Sequence, residues 1–206
     1  MNELSGTKEL IFDTFVEMAS TVGYENVSMR DIAAKVGIKG ASIYNHFTSK
    51  GQILEHAYAY YTEHLYDNRR PIDEMKKIVE TADAKEIINS LRFTFEAADQ
   101  KKYVRMILIT KIVNMRLFQD PVANSVFTAM DKNNIEYVTA VLRHGIDMGQ
   151  ISQNFDIEIF ADVFVSALEI MGVKAFAEPA YVAGQKEREQ RILSLFVQLL
   201  SSSLIK

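Results

Sequence analysis

A short run of hydrogen-bonding side chains in the N-terminal quarter of the chain holds the residues best suited to a binding task. Apolar Ile43 lies inside the run and Phe47 follows it at helical spacing. The run can donate and accept hydrogen bonds but brings little charge, which suits contacts with phosphate oxygens and base edges. Its members are Ser42, Tyr44, Asn45 and His46.

Two short helices joined by a tight turn must position this run. Ser28 and Asp31 predict a capping box for the first helix, in which each side chain accepts a hydrogen bond from the other residue's backbone N–H. That helix is predicted to end at Gly37, and a second helical run then covers residues 41–47. The layout is typical of a helix-turn-helix, whose second helix enters a major groove about 12 Å wide.

The segment over residues 28–52 resembles the DNA-binding signature of the TetR family of bacterial transcriptional regulators. It reads SMRDIAAKVGIKGASIYNHFTSKGQ. The resemblance extends over residues 7–52, whereas the rest of the chain matches the family only in length and helical layout. The shared elements are the Ser-x-x-Asp-Ile-Ala start at Ser28, then Ala34-x-x-Gly37-Ile38, Ser42-Ile43-Tyr44-x-His46-Phe47, and Ser49-Lys50.

The resemblance implies DNA-contacting roles for residues on both short helices and at the start of the next helix. Arg30 matches a base or phosphate contact, and Asn45 falls where members of the family differ and read sequence. Lys50 matches a backbone-contacting lysine, and a lysine at a helix N-terminus suits a phosphate. The predicted DNA-binding residues are Ser28, Arg30, Lys39, Gly40, Ala41, Ser42, Tyr44, Asn45, His46 and Lys50.

The charge distribution supports the prediction of DNA binding over residues 27–50 and opposes it over residues 1–25. The net charge is −4, yet residues 27–50 carry +3, from Arg30, Lys35, Lys39 and Lys50 against Asp31. Residues 1–25 instead hold one base, Lys8, against five acidic residues. This acidic lead-in favours the alternative hypothesis, an all-helical ligand-binding or interaction protein without sequence-specific DNA binding. The acidic residues are Glu3, Glu9, Asp13, Glu17 and Glu25.

Composition excludes several other classes of protein. The chain has no cysteine, which excludes disulfide scaffolds, thiolate metal sites and cysteine nucleophiles. It has no glycine-rich phosphate loop, nucleophile elbow or His-Glu-x-x-His motif, so we expect no enzyme, cofactor or metal site, and a helical enzyme ranks as the third hypothesis. No segment is apolar enough for a signal peptide or membrane span, and we expect a soluble cytoplasmic protein with no membrane partner.

Three prolines, nine glycines and helical spacing of apolar residues predict an all-α chain of nine to ten helices. We expect an N-terminal three-helix helix-turn-helix domain that binds DNA over residues 1–50. A C-terminal helical domain over residues 51–206 is expected to bind an effector and to form the dimer.

Aromatic and methionine side chains are abundant over residues 51–155 of this C-terminal domain. Packing alone accounts for most of them, but together they suggest a small, largely apolar effector. The predicted ligand-binding residues are Tyr61, His64, Phe93, Met106, Lys111, Met115, Phe127 and Met130.

The segment over residues 157–176 is apolar around most of its circumference, with one narrow polar stripe. It is either a fully buried central helix or a helix shared between its own core and a second subunit. The resemblance favours the second hypothesis and implies a homodimer in which this helix and the final helix, predicted over residues 186–204, form a four-helix bundle with their copies in the partner. Such a dimer is expected to bind a palindromic double-stranded operator as a repressor. The predicted interface residues are Phe160, Phe164, Leu168, Met171, Leu195, Phe196 and Leu199.

Overall fold

The computed structural model describes residues 5–67, 69–92, 99–177 and 179–205, and these form nine α-helices. The described residues contain no β-strand; an isolated bridge joins Ile151 to Leu204. The all-α prediction is therefore confirmed. The helices are α1 (Gly6–Val22), α2 (Met29–Val36), α3 (Lys50–His64), α4 (Ile72–Thr81), α5 (Ala84–Ser90), α6 (Gln100–Arg116), α7 (Pro121–Asp147), α8 (Ile157–Ala177) and α9 (Pro179–Ser201).

Local capping chemistry sets both ends of α2. Ser28 accepts a hydrogen bond from the backbone N–H of Asp31, and Asp31 accepts one from the backbone N–H of Ser28, so the predicted capping box is present. At the other end Gly37 adopts φ +81° and donates its N–H to the carbonyl of Ala33. A left-handed glycine is the usual way to end a helix, because other residues are strained there.

The predicted helix over 41–47 is shorter in the structure, where it is a single 3₁₀ turn, Ser42–Asn45. The next helix explains the difference. Ser49 is fully extended, with φ −159° and ψ 164°, and its side chain accepts from the N–H of Gln52 to cap α3. The chain must therefore leave the helical conformation soon after Phe47, and so short a segment gains little from helix propagation.

The last helix is longer than predicted, because it begins at Pro179 and not near residue 186. Proline is compatible with the first turn of a helix, where its missing N–H would have no intrahelical partner.

The chain packs as two compact units, which divide it differently from the predicted boundary at residue 50. The first unit comprises residues 1–68 and 95–127, and the second comprises 69–94 and 128–206. The helix-turn-helix thus shares a packing unit with α3 and α6. The predicted functional division into 1–50 and 51–206 remains a prediction.

Each unit has its own apolar core. In the first unit, α1 contributes Phe12 and Phe15, the helix-turn-helix contributes Ile32 and Phe47, and α6 contributes Ile109.

In the second unit, three phenylalanine rings from α8 and α9 meet with centroids 5.0–6.0 Å apart: Phe160, Phe164 and Phe196.

No helix in the described part of the chain is long and apolar enough to cross a membrane.

Candidate functional site

The helix-turn-helix separates its apolar residues from its polar residues. Ile32 and Ala33 of α2 pack inward and are at most 1% exposed. Ile43, in the 3₁₀ turn, and Phe47, which follows it, also pack inward and are at most 2% exposed. Ile43 and Phe47 therefore lie where the sequence predicts. This packing leaves the opposite side of the turn in contact with solvent.

The predicted DNA-binding residues occupy that solvent-facing side to different degrees. Tyr44 is 54% exposed although its ring is large and partly apolar. Arg30 and Lys39 are also exposed, and neither forms a salt bridge with another residue in the described ranges. The other exposed candidates are Gly40, Ala41 and Asn45, whereas Ser42 and His46 are half-buried.

Ser28 is exposed but already engaged in the helix cap. Its hydroxyl donates to Asp31 Oδ2 at 2.5 Å and accepts from the Asp31 N–H at 3.2 Å. The hydrogen bonds from Ser28 lower the pKa of the Asp31 carboxyl. Ser28 thus fixes the start of α2, which in turn sets the position of Arg30 two residues later.

Lys50 starts α3, as predicted, and its ammonium lies against the turn between α1 and α2. Nζ donates to the backbone carbonyl of Tyr24 at 2.8 Å and lies 4.1 Å from the centroid of the Tyr24 ring. An ammonium has three N–H donors, so two remain for a phosphate after the bond to Tyr24.

The acidic residues of α1 and its C-terminal turn pair with cations inside the chain. Glu17 binds Lys35 at 2.8 Å, and Glu25 binds Arg116 at 2.8 Å. Glu9 and Asp13 both bind Arg105 and Lys101 of α6. Since these four carboxylates are neutralised within the chain, they provide less support for the alternative without DNA binding.

Arg105 is the central cation of this group and is only 14% exposed. It lies over the rings of Phe12 and Tyr60, with its Cζ 5.7 and 5.6 Å from their centroids. Hydrogen bonds from Lys101 and Arg105 lower the pKa of Glu9. Sequence reasoning named Glu9 and Asp13 as acidic residues but missed their pairing with Lys101 and Arg105. The signal present in the sequence is a matched spacing, with acids at 9 and 13 and bases at 101 and 105.

The predicted ligand-binding residues are not gathered by the described contacts into one site. Tyr61 and Met106 are buried in the first unit, 2% and 1% exposed. His64 Nδ1 lies 2.9 Å from Asp67 Oδ2. Met115 is 47% exposed and lies beside Gly23 at the end of α1.

The remaining ligand candidates vary in position. Lys111 and Phe127 are half-buried in the first unit, and Met130 is half-buried in the second. Phe93 lies outside the described residues.

The predicted interface residues divide between the inside and the outside of the second unit. Phe160, Phe164 and Phe196 lie in its core, so their side chains pack within their own protomer. Met171 is only 6% exposed, and Leu168 is partly buried against the core. Leu195 and Leu199 are 59% and 53% exposed. The outer surface of α8 instead presents Ile159, Val163, Ile170 and Val173.

The histidine side chains offer no metal site in the described residues, where no group of three or more histidine and carboxylate side chains is placed to hold an ion. His56 is packed edge-on against Phe12 and Phe47, and its buried Nε2 has no hydrogen-bond partner among the described residues. Burial lowers the pKa of His56, with a further contribution from the charge of Lys8. His56 is therefore half-buried and packs against the core of the first unit.

Comparison with known proteins identifies the same N-terminal segment. Residues 11–57 match the family model described as bacterial regulatory proteins, tetR family. The transcriptional repressor KstR2 of Rhodococcus jostii is 24% identical over 159 residues, which cover 75% of this chain and 72% of that protein. IcaR of Staphylococcus aureus, a negative transcriptional regulator of a biofilm operon, is 44% identical over 48 residues, 23% of this chain and 26% of IcaR.

Solved structures extend the similarity of fold to nearly the whole chain. KstR2 of Mycobacterium tuberculosis superposes with a TM-score of 0.67 at 18% identity, covering 99% of this chain and 98% of that one. A TetR-family regulator from Mesorhizobium loti gives 0.64 at 15% identity, with 97% of each chain covered. The helix-turn-helix geometry, the family model and the relatives agree, and the chain belongs to the TetR family of bacterial transcriptional regulators.

Proposed function

We propose that this regulator is a ligand-responsive repressor that binds a palindromic operator as a homodimer and is released by a small, largely apolar effector. The observation that carries the DNA-binding part is the exposed polar side of the helix-turn-helix. Tyr44, Asn45, Arg30 and Lys39 are exposed there, on a scaffold held by buried Ile43 and Phe47. Arginine and lysine suit phosphates, and asparagine suits the edge of adenine.

Gel-shift titration against duplexes from the region upstream of its own gene tests operator binding. We expect a sequence-specific complex that weakens steeply as salt rises. Asn45→Ala is expected to relax sequence preference by about tenfold, while the exposed control Asn89→Ala leaves binding unchanged. If no specific complex forms at low salt, the chain is an interaction protein and the proposal fails.

The proposed dimer rests on the outer surfaces of α8 and α9. Ile159, Val163, Ile170 and Val173 are exposed at intervals of three, four and seven residues, which is the spacing of a coiled-coil seam. Leu195 and Leu199 are exposed on α9. Solvent-exposed apolar side chains at this spacing favour a helical interface between two copies, and two copies suit a palindrome.

Sedimentation equilibrium tests the dimer directly. Ile170→Glu is expected to give a monomer at micromolar concentration, because two carboxylates would be buried without partners. Val104→Glu is the matched control, since Val104 is similarly exposed, at 46%, but lies on α6. A wild-type chain that sediments as a monomer at about 100 µM would contradict the dimer, because its association free energy would then be weaker than about −5.5 kcal/mol.

The repressor assignment is supported by relatives, since KstR2 is a transcriptional repressor and IcaR a negative regulator. Effector release requires a ligand that prefers the conformation with weak DNA affinity. The aromatic and methionine content between residues 51 and 155 supports an apolar ligand.

A thermal-shift panel of small apolar compounds tests effector binding, because a ligand of the folded state raises the melting temperature. A true effector is also expected to weaken the operator complex, whereas a compound that only stabilises the fold leaves it unchanged.

A further inference from the structure

The ring of Tyr24 is in contact with two cations from different parts of the chain. Lys50 Nζ lies 4.1 Å and Arg116 Cζ 4.2 Å from its centroid. Tyr24 belongs to the 3₁₀ turn Tyr24–Asn26 between α1 and α2, while Lys50 starts α3 and Arg116 ends α6. We call these three residues and Glu25 the Tyr24 cluster.

Arg116 is held firmly in this cluster. Its Nη1 donates to Glu25 at 2.8 Å, and its Nε donates to Asp120 at 3.0 Å. Asp120 also accepts hydrogen bonds from the Tyr58 hydroxyl and from the backbone N–H of Val122. The guanidinium is only 14% exposed, so it is not itself placed as a surface contact for DNA.

Lys50 depends on Tyr24 for its position. Its ammonium donates to the Tyr24 carbonyl and lies over the Tyr24 ring, so the location of this one residue decides where the charge sits. The Tyr24 hydroxyl lies beside Gly51, since a Cβ added at Gly51 would be 4.0 Å from the hydroxyl oxygen. The ring is therefore packed against the N-terminus of α3, the end of a helix that attracts phosphate.

We propose that Arg116, far from the helix-turn-helix in sequence, is a positioning residue that holds Lys50 for a DNA phosphate through the Tyr24 ring. The proposal rests on the proposed function, in which Lys50 contacts the DNA backbone. Without Arg116 the turn Tyr24–Asn26 loses the cation contact on the Tyr24 ring and the ion pair with Glu25. The long lysine side chain then regains rotamer freedom that binding must remove.

A double-mutant cycle tests this role, with the shortest upstream duplex that the wild-type chain retards as the probe. Dissociation constants are measured at several KCl concentrations for wild type, Arg116→Gln, Lys50→Ala and the double variant. Arg116→Gln is expected to weaken binding about three- to tenfold and to lower the salt slope by about one. In the Lys50→Ala background the same change is expected to have no further effect.

Two controls separate positioning from a general loss of structure. The cycle of Arg116→Gln with Lys39→Ala is expected to be additive, because Lys39 is outside the Tyr24 cluster. Arg116→Lys keeps the charge and is expected to restore part of the affinity and the slope. A merely destabilised fold would instead reduce the active fraction and leave the salt slope unchanged.

Tyr24→Leu provides a second route if Arg116→Gln fails to fold, as it removes the ring but leaves the ion pairs of Arg116 intact. It is expected to reproduce the loss of affinity and the lower salt slope. The proposal is overturned if Arg116→Gln, or Tyr24→Leu in its place, keeps wild-type affinity, or if its effect persists undiminished without Lys50. If the wild-type chain retards no duplex, the proposed function itself is overturned.

Discussion

Arg105 of α6 binds Asp13 of α1 through both carboxylate oxygens, with Nε 2.5 Å from Oδ1 and Nη2 2.9 Å from Oδ2. This bidentate geometry is the strong form of an arginine–carboxylate pair. It joins the first helix of the chain to one that lies 92 residues later, within the unit that contains the helix-turn-helix. Glu9 and Asp13 therefore serve the packing of α1 against α6.

We expect Asp13→Asn to lower the free energy of unfolding by about 1–3 kcal/mol, because it leaves the largely buried guanidinium of Arg105 without its main partner. Glu17→Gln is the matched control on the same helix. Its pair with Lys35 has side chains 59% and 47% exposed, and exposed pairs contribute at most about 1 kcal/mol. Urea unfolding at fixed protein concentration measures both, and equal losses would argue against the role of Arg105.

Both ends of α2 were accessible from sequence because they depend on neighbours in the chain. The cap at Ser28 and the left-handed Gly37 follow from residue type and a spacing of a few positions. The Arg105–Asp13 pair depends on which face of α1 meets α6, and no local rule determines that. Matched acid and base spacings are common on helices, so this one could not be singled out.

The inner and outer sides of α8 were also beyond sequence reasoning. Fourteen of the twenty residues over 157–176 are apolar, so periodicity does not distinguish one side from another. The resemblance implied Phe160 and Phe164 as interface residues, whereas both lie in the core of their own unit. Ile159 and Val163 are exposed, and their β-branched side chains are smaller than phenylalanine. Only the packing of α8 within its own unit shows that these two residues face outward.

This division of α8 and α9 predicts opposite phenotypes for two truncations. Phe164→Ala is expected to lower the free energy of unfolding by about 3–5 kcal/mol, because Phe164 is fully buried. Leu199→Ala, at a position 53% exposed, is expected to change the stability of a protomer by less than about 0.5 kcal/mol. It is instead expected to raise the dimer dissociation constant about tenfold. Urea unfolding and sedimentation equilibrium separate the two effects, and a tenfold weaker dimer from Phe164→Ala at unchanged stability would reverse the assignment.

Gly145 of α7 marks a close approach of that helix to its neighbours in the second unit. A Cβ added there would lie 2.6 Å from both Ile151 Cδ1 and Val79 Cγ1. Overpacking of this kind costs about 1–3 kcal/mol, whereas alanine in place of glycine favours a helix by about 1 kcal/mol. Because Val79 is β-branched and fully buried, we expect the steric term to dominate and Gly145→Ala to be destabilising by about 1–2 kcal/mol.

Gly172 of α8 is the matched control for this change, since nothing lies within 4 Å of a Cβ added there. Gly172→Ala is expected to raise the free energy of unfolding by up to about 1 kcal/mol through helix propensity alone. Thermal unfolding of the two variants compares them directly, and a stabilised Gly145→Ala would show that the α7 contact is not tight.

Glu169 of α8 predicts a pH dependence of stability. Its Oε1 is buried without a hydrogen-bond partner among the described residues. Burial, and then the negative charge of Asp131, raise the pKa of Glu169 to about 7. Asp131 has a raised pKa as well, through its own burial and the charge of Asp162. The folded chain therefore favours a protonated Glu169.

The sign of the effect follows from proton binding. Between the ordinary glutamate pKa of 4.5 and about 7, the folded state holds a proton on Glu169 that the unfolded state has released. The stability associated with this group is thus full below 4.5 and is lost as pH rises to about 7. Glu169→Gln removes the ionisable group, so we expect it to be more stable than wild type at pH 8 and equal to it near pH 4.5. Because the side chain is partly exposed, solvent screening limits the gain to about 1–2 kcal/mol.

Urea unfolding at fixed protein concentration from pH 4.5 to 8 measures this difference. Glu158→Gln is the control on the same helix, at a glutamate whose side chain is 77% exposed and paired with Arg143. Its difference from wild type is expected to stay below about 0.5 kcal/mol at every pH. A Glu169→Gln difference that does not grow between pH 5 and pH 8 would mean that the carboxylate is solvated or paired in solution.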